Sequence, residues 1–110
     1  MTQRQERLGR NETLFREVNE RLEKLQAPFD VFAERAEFVC ECGNRDCTKQ
    51  ITMSLKEYED LRSDPTYFAV VPGHEVPDVE DIVARREGYD VVRKREGPPA
   101  DVAIEEDPRS

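Results

Sequence analysis

The stretch Glu37-Phe38-Val39-Cys40-Glu41-Cys42-Gly43-Asn44-Arg45-Asp46-Cys47 decides how this chain is read. Glu37 to Cys42 alternates polar and apolar positions as a strand does, and residues two apart on a strand point to one face. Cys40 and Cys42 therefore present both sulfurs to the same side. Gly43-Asn44 is a turn signal that lets the chain reverse, so Cys47 can approach the same point. A buried-type strand is expected over Tyr67-Phe68-Ala69-Val70-Val71. The Pro72-Gly73 turn at its end would deliver His74, the only histidine. Three thiolates and one imidazole make the tetrahedral donor set that structural zinc sites use. The expectation is a zinc ion on Cys40, Cys42, Cys47 and His74, with Asp46 or Glu75 as substitutes for the histidine.

Other uses of the cysteines fit less well. An odd cysteine count and an expected cytosolic setting argue against a disulfide framework. An iron–sulfur cluster would lack its usual fourth cysteine. Unmetallated buried thiols are the plain alternative.

Composition explains why a metal would matter. Hydrophobic residues make up 36% and charged residues 38%, against about 45–50% and about 25% in an ordinary soluble domain. The Pro-rich acidic stretch from Gly97 to Ser110 carries few large apolar residues and is expected to be a disordered tail. The N-terminal residues 1–27 read as a separate amphipathic helix, which leaves 28–96 as the core domain. A core of that size supplies only about 3–5 kcal/mol, whereas a closed zinc site contributes about 10–16 kcal/mol in small peptides. No apolar run approaches about 18 residues, so no membrane span is expected. Met1 to Arg7 leads into no apolar leader segment, and the expected location is the cytoplasm.

The helix is read from periodicity. Leu8, Phe15 and Leu22 fall seven apart, and Asn11, Val18 and Leu25 form a second row offset by three, which is a heptad stripe with one polar member. Thr2-Gln3-Arg4-Gln5 fits a capping box that starts the helix, although Gly9 weakens that extension. Pro28 ends it and opens a linker to about Ala36. Gln50-Ile51-Thr52-Met53 reads as the strand returning beside Glu37–Cys42. Ser54-Leu55-Lys56-Glu57 is a second capping box, opening a short helix that stops near Asp64-Pro65. Val79 to Arg95 fits either a helix or a hairpin; Gly88 between two Val-rich runs favours a hairpin turning at Arg86-Glu87-Gly88. The fold expected is α+β: an N-terminal amphipathic helix and a small antiparallel sheet of four or five strands stapled by zinc, with one further short helix.

Three elements together resemble a known family. Arg10-Asn11-Glu12-Thr13-Leu14-Phe15-Arg16-Glu17-Val18-Asn19-Glu20-Arg21, Phe38-Val39-Cys40-Glu41-Cys42 with Cys47, and Pro72-Gly73-His74-Glu75 look like a family of small uncharacterised proteins of high-GC Gram-positive bacteria. The likeness runs from Arg10 to Lys94 and includes the closing Asp107-Pro108-Arg109-Ser110. It implies a cytoplasmic bacterial protein and assigns no catalytic residue.

No enzyme signature is found. The zinc-deaminase order of H-x-E and P-C-x-x-C is absent, as are G-x-S-x-G, the Walker A loop and the dinucleotide fingerprint. A His74-Glu75 base beside an open three-cysteine zinc is the one catalytic arrangement the residues permit. The Glu57, Glu59 and Asp60 carboxylates read as a solvated helix face. A non-enzyme is expected.

Three functions from different classes remain. A zinc-stapled regulatory module would bind a protein partner, or itself, through Leu14, Phe15, Val18, Leu22 and Leu25 on the N-terminal helix. A redox switch would release zinc when Cys40, Cys42 or Cys47 is oxidised, with Arg45 and Lys49 steadying the thiolates. Nucleic acid, or an acidic surface of the transcription machinery, would meet a basic patch of Arg85, Arg86, Arg93, Lys94 and Arg95 at one end of the hairpin. A formal charge of −8 disfavours nucleic acid, since phosphate contacts supply most such affinity.

Overall fold

The structure, a computed structural model, describes residues 3–26 and 35–109. Along the chain it forms α1 (Gln3–Gln26), β1 (Ala36–Val39), β2 (Gln50–Met53), α2 (Leu55–Arg62), β3 (Tyr67–Val70), β4 (Glu80–Arg86), β5 (Tyr89–Lys94) and α3 (Pro98–Glu105). The class is α+β, as expected, but the strands divide into two antiparallel sheets. β1 and β2 pair alone, and the second sheet has the order β3-β5-β4. Among the described residues no helix is long and apolar enough to cross a membrane. Thr2 of the expected first capping box and residues 28–34 of the expected linker lie outside the described residues.

β5 is central in its sheet and buried on both faces. Phe68, Val70 and Val92 share one face and pack with Cys40, Cys42 and Ala103. Ala69, Tyr89 and Val91 take the other face with Phe38, Ile51, Met53, Tyr58 and Leu61. The second layer is tightened by Phe38 and Tyr58, whose rings stack 4.5 Å apart and 4° from parallel. The β1–β2 pair and α2 thus cover one side of the sheet, while α1, α3 and the cysteine loop cover the other. α2 starts with the expected capping box. Ser54 Oγ accepts from the Glu57 amide at 3.0 Å, and Glu57 Oε1 accepts from the Ser54 amide at 3.0 Å.

Val79 to Arg95 is a hairpin, with Arg86 opposite Tyr89 and Gly88 at φ +87° in the turn. This register corrects the basic patch. Arg85 and Arg86 stand at the turn, whereas Arg93 faces Asp81 and Lys94 faces Glu80 at the far end. Lys94 is buried between Glu12 and Glu80, and Arg95 pairs with Asp81 at 3.0 Å. The five cations do not form one surface. In a hairpin, residues pair at equal distances from the turn, so Arg85 and Arg86 stand opposite Asp90 and Tyr89 and not beside Arg93 to Arg95.

A further expectation is overturned: the segment 97–110 is not a disordered tail throughout, since Pro98–Glu105 is a helix against α1. Pro98 and Pro99 suit a helix start, where the missing amide would have no partner anyway. Val102 lies over Gly9 of α1, and the Arg16 guanidinium of α1 donates to the Ala103 carbonyl at 2.8 Å. Arg109 completes the attachment, donating to both Glu20 carboxylate oxygens at 2.6 and 3.0 Å and to Glu59 at 2.5 Å. Glu57, Glu59 and Asp60 lie on an exposed helix face, as expected, and Glu59 also joins the tether. The guanidinium holds its carboxyl below the usual range.

The inward face of α1 is not the one its apolar spacing marks. The buried residues are Glu12, Thr13, Arg16, Asn19 and Glu20. Phe15 and Leu22 are half-buried, and Leu14, Val18 and Leu25 are exposed. The heptad stripe is not the buried seam. The surface beneath α1 presents strand-edge backbone, loop carbonyls and the ammonium of Lys94, so polar side chains that satisfy those groups are the ones buried there.

Candidate metal centre

The cysteine loop begins where β1 ends at Val39, three residues earlier than a strand through Cys42 would require. The Cys40 amide still donates to the Lys49 carbonyl across the β1–β2 pair at 3.1 Å, but the next amide, of Glu41, donates to Ala69 of β3 at 2.9 Å. Cys40 thus sits where the chain crosses from one sheet to the other. Gly43 follows at φ +78°, a conformation disfavoured for any residue with a Cβ. Its position is doubly constrained, since a Cβ there would lie 2.9 Å from Glu12 Cγ and 3.1 Å from the Leu8 carbonyl. The chain passes directly under α1 and Asn11 Nδ2 donates to the Gly43 carbonyl at 2.9 Å. A turn from Asn44 to Cys47, closed by the Cys47 amide on the Asn44 carbonyl at 2.9 Å, brings the third thiol back.

His74 arrives from the end of β3. Gly73 takes φ +91°, and the His74 amide donates to the Val71 carbonyl at 2.9 Å. The Val71 amide in turn donates to Cys40 Sγ at 3.2 Å. One peptide unit on either side of Val71 therefore holds both the first cysteine and the histidine.

These turns place one ligand atom from each of Cys40, Cys42, Cys47 and His74 within 4.8 Å of one another. His74 Nδ1 lies 3.6 Å from Cys40 Sγ and 3.7 Å from Cys47 Sγ. A tetrahedron with metal–sulfur bonds of about 2.3 Å and metal–nitrogen bonds of about 2.0–2.1 Å has sulfur–nitrogen edges of about 3.6 Å. The cluster thus has the size and the donors to hold a metal ion, and no disulfide forms among its cysteines. Asp46 and Glu75, the proposed substitutes, stand outside it. Cys40 and Cys42 are buried, while Cys47 and His74 are half-exposed.

The crowded thiols share charge. The hydrogen bond from Cys40, with help from the Asn44 amide, brings the Cys42 thiol down to about 5. Cys40 is pushed up by that same interaction and by burial. A cation seated among them would displace the remaining protons, because the thiolate is the ligand.

Sequence reading missed the groups that hold this loop. Glu41, between the first two cysteines, is fully buried. Its Oε1 accepts from Arg62 Nη2 at 2.9 Å and from the Ala69 amide at 3.0 Å, and its Oε2 accepts from Asn19 Nδ2 at 2.7 Å. Arg62 Nη2 also reaches the Tyr67 carbonyl at 3.1 Å. A buried charge needs a partner, and Glu41 recruits α1, α2 and β3 to one point beside the cluster. The one available signal was an acidic residue at a position flanked by two cysteines expected to be buried. Arg45 and Lys49 are exposed.

No protein-family model, no curated protein and no solved structure matches the chain.

Proposed function

We propose that this chain is a small zinc-stapled interaction module without catalytic activity. The observation that carries the reading is the closed Cys40, Cys42, Cys47 and His74 cluster, whose four ligand atoms lie within 4.8 Å. Four protein ligands leave no coordination position for water, which is the arrangement of structural rather than catalytic zinc. The metal would lock the loop after β1 to the end of β3, and through Gly43 and Glu41 it would fix α1. The function served by that rigidity is presentation of the outward face of α1, with Leu14, Val18 and Leu25, to a protein partner.

Metal analysis by mass spectrometry on protein purified without a histidine tag tests the first half. Wild type should carry one zinc per chain, and Cys42→Ser and His74→Ala should lose most of it and unfold. Zinc retained in His74→Ala with the fold intact, or no metal in wild type, would overturn the reading. Partner capture tests the second half, and should be abolished by Leu14→Ser with Leu25→Ser while zinc content stays unchanged.

One observation favours a second, redox reading: Cys47 is half-exposed. A peroxide would oxidise two of the zinc thiolates to a disulfide, itself reduced to two hydroxides, and the ion would leave. Zinc retained in millimolar peroxide would exclude it.

A further inference from the structure

α1 is built inside out. It buries Glu12, Thr13, Arg16, Asn19 and Glu20, yet it leaves Leu14 55%, Val18 37% and Leu25 66% exposed. At 100° per residue these three fall within one narrow outward strip. Arg7, Arg10 and Arg21 lie on the same strip, all exposed and without an ion-pair partner among the described residues. Glu17 at its margin is the nearest exposed acid of the helix. The chain as a whole carries a formal charge of −8, so this strip is a cationic, apolar island on an acidic protein.

The strip cannot be hidden by rotation of the helix. Asn11 is bonded to Gly43, Asn19 to Val39 and Glu41, and Arg16 to Pro65 and Ala103. Turning α1 to bury its leucines would leave all of these groups unsatisfied. A rigid helix face that combines arginine with aliphatic side chains has the make-up of an interface.

We infer that this strip binds an acidic amphipathic helix of a partner protein. The inference rests on the interaction-module reading and names its partner. From Arg7 to Leu25 the strip is about 27 Å long, the length of a partner helix of about 18 residues. Apolar residues of the partner would meet Leu14, Val18 and Leu25, and its carboxylates would flank them to meet Arg7, Arg10 and Arg21. Charge decides against a second copy of this chain. In a parallel pairing Arg7, Arg10 and Arg21 would each stand beside their own copies, and in an antiparallel one Arg10 would stand beside Arg21; like charges at an interface select against that partner. A nucleic-acid duplex or an anionic membrane reaches beyond the strip and would meet the acidic remainder of a chain of formal charge −8, whereas a helix no longer than the strip meets its cations alone. A helix-on-helix contact of this size is at the small end of specific interfaces, so the complex would be transient.

The test uses the zinc-loaded full chain and three synthetic peptides with identical leucine spacing, whose polar positions are all glutamate, all glutamine or all lysine. Titration by fluorescence anisotropy should show the glutamate peptide binding at least about ten-fold more tightly than the others, and weakening as salt is raised. Leu14→Ser with Leu25→Ser, and separately Arg10→Glu with Arg21→Glu, should each weaken it by about ten-fold or more with zinc content and circular dichroism unchanged. Equal binding of the glutamine or lysine peptide, still lost in the leucine variant, would overturn this inference while sparing the interaction reading. Binding of anionic vesicles or duplex DNA in place of the peptides would overturn it in favour of those ligands, as would self-association by sedimentation lost with Leu14→Ser. No binding of any probe at millimolar concentration would overturn both.

Discussion

The Asn19 side chain and the Val39 backbone are joined by two opposed hydrogen bonds: Nδ2 donates to the Val39 carbonyl at 2.9 Å, and the Val39 amide donates to Oδ1 at 2.8 Å. A carboxamide thereby takes the place of the next strand beside β1. Two helical turns on, Gln26 repeats the device with Glu37, each bond 2.8 Å. Open strand edges invite pairing with other chains, and here one helix closes the edge with two amide side chains. The Asn19 pair also sits one residue before the first cysteine, so the edge closure and the start of the cysteine loop are a single structure.

Asn19→Ala should therefore cost about 2–3 kcal/mol, because it leaves the Val39 backbone and the buried Glu41 carboxylate short of partners. Gln26→Ala, at an exposed pair, should cost about 0.5–1 kcal/mol. Urea unfolding of both variants with zinc in excess checks the order, and light scattering should reveal association in Asn19→Ala alone.

Glu41→Gln removes the charge opposite Arg62 while keeping the shape. Breaking a buried pair by removing one partner costs about 3–5 kcal/mol, and the amide can still accept one hydrogen bond. The expected loss is about 3 kcal/mol, with zinc bound about ten-fold more weakly, since groups that orient a ligand shell tune its affinity. Competition with a fluorescent chelator measures the second effect separately from the first.

Glu12 is expected to make stability fall as pH rises. Burial pushes its carboxyl up to about 8 from 4.5, against the pull of Lys94. Two carboxylates, Glu12 and Glu80, flank one ammonium, and a neutral Glu12 removes the excess negative charge. A group whose folded value is raised gives stability that is complete below the unfolded value and is lost as pH climbs to the folded one. The window is therefore pH 4.5 to about 8. Glu12→Gln should gain on wild type across that window, and comparing the two at each pH cancels the pH dependence of zinc binding. A constant difference between them would show that Glu12 does not titrate there.

Arg109→Ala should release the C-terminal helix. It removes the bidentate bond to Glu20 and leaves Glu20, Glu23 and Glu59 without their shared cation. The site is partly solvated, so the stability cost is about 1–2 kcal/mol. The sharper readout is limited proteolysis, in which cleavage near Gly97 should become rapid.

Removing the metal with a chelator should unfold the loop between β1 and β2 first, because Cys47 and His74 come from separate turns that the ion would join. Amide exchange should rise at Cys40, Cys47 and Val71 before it rises in β5. Uniform exchange across the chain would mean that the metal supports the whole fold at once.

By itself the sequence determined the elements whose cause is local, together with the donor set. The Ser54–Glu57 capping box, the hairpin at Gly88 and the turns at Gly43 and Gly73 each depend on a few adjacent residues, and the C-x-C-x4-C spacing pointed to three of the four clustered donors. Only the tertiary structure decided the rest, because it depended on what lay opposite. Periodicity could show that α1 has an apolar stripe but not which face turns inward, since that was decided by the strand edge, the carbonyls and Lys94 beneath it. Composition pointed to a disordered tail over 97–110, but Arg16, Gly9 and the Glu20 carboxylate of α1 supply partners that hold a helix and Arg109 in place there. Glu41 looked like an ordinary strand residue until Asn19, Arg62 and Ala69 converged on it. A buried charge is permitted only by partners, and those partners come from three elements distant in the chain.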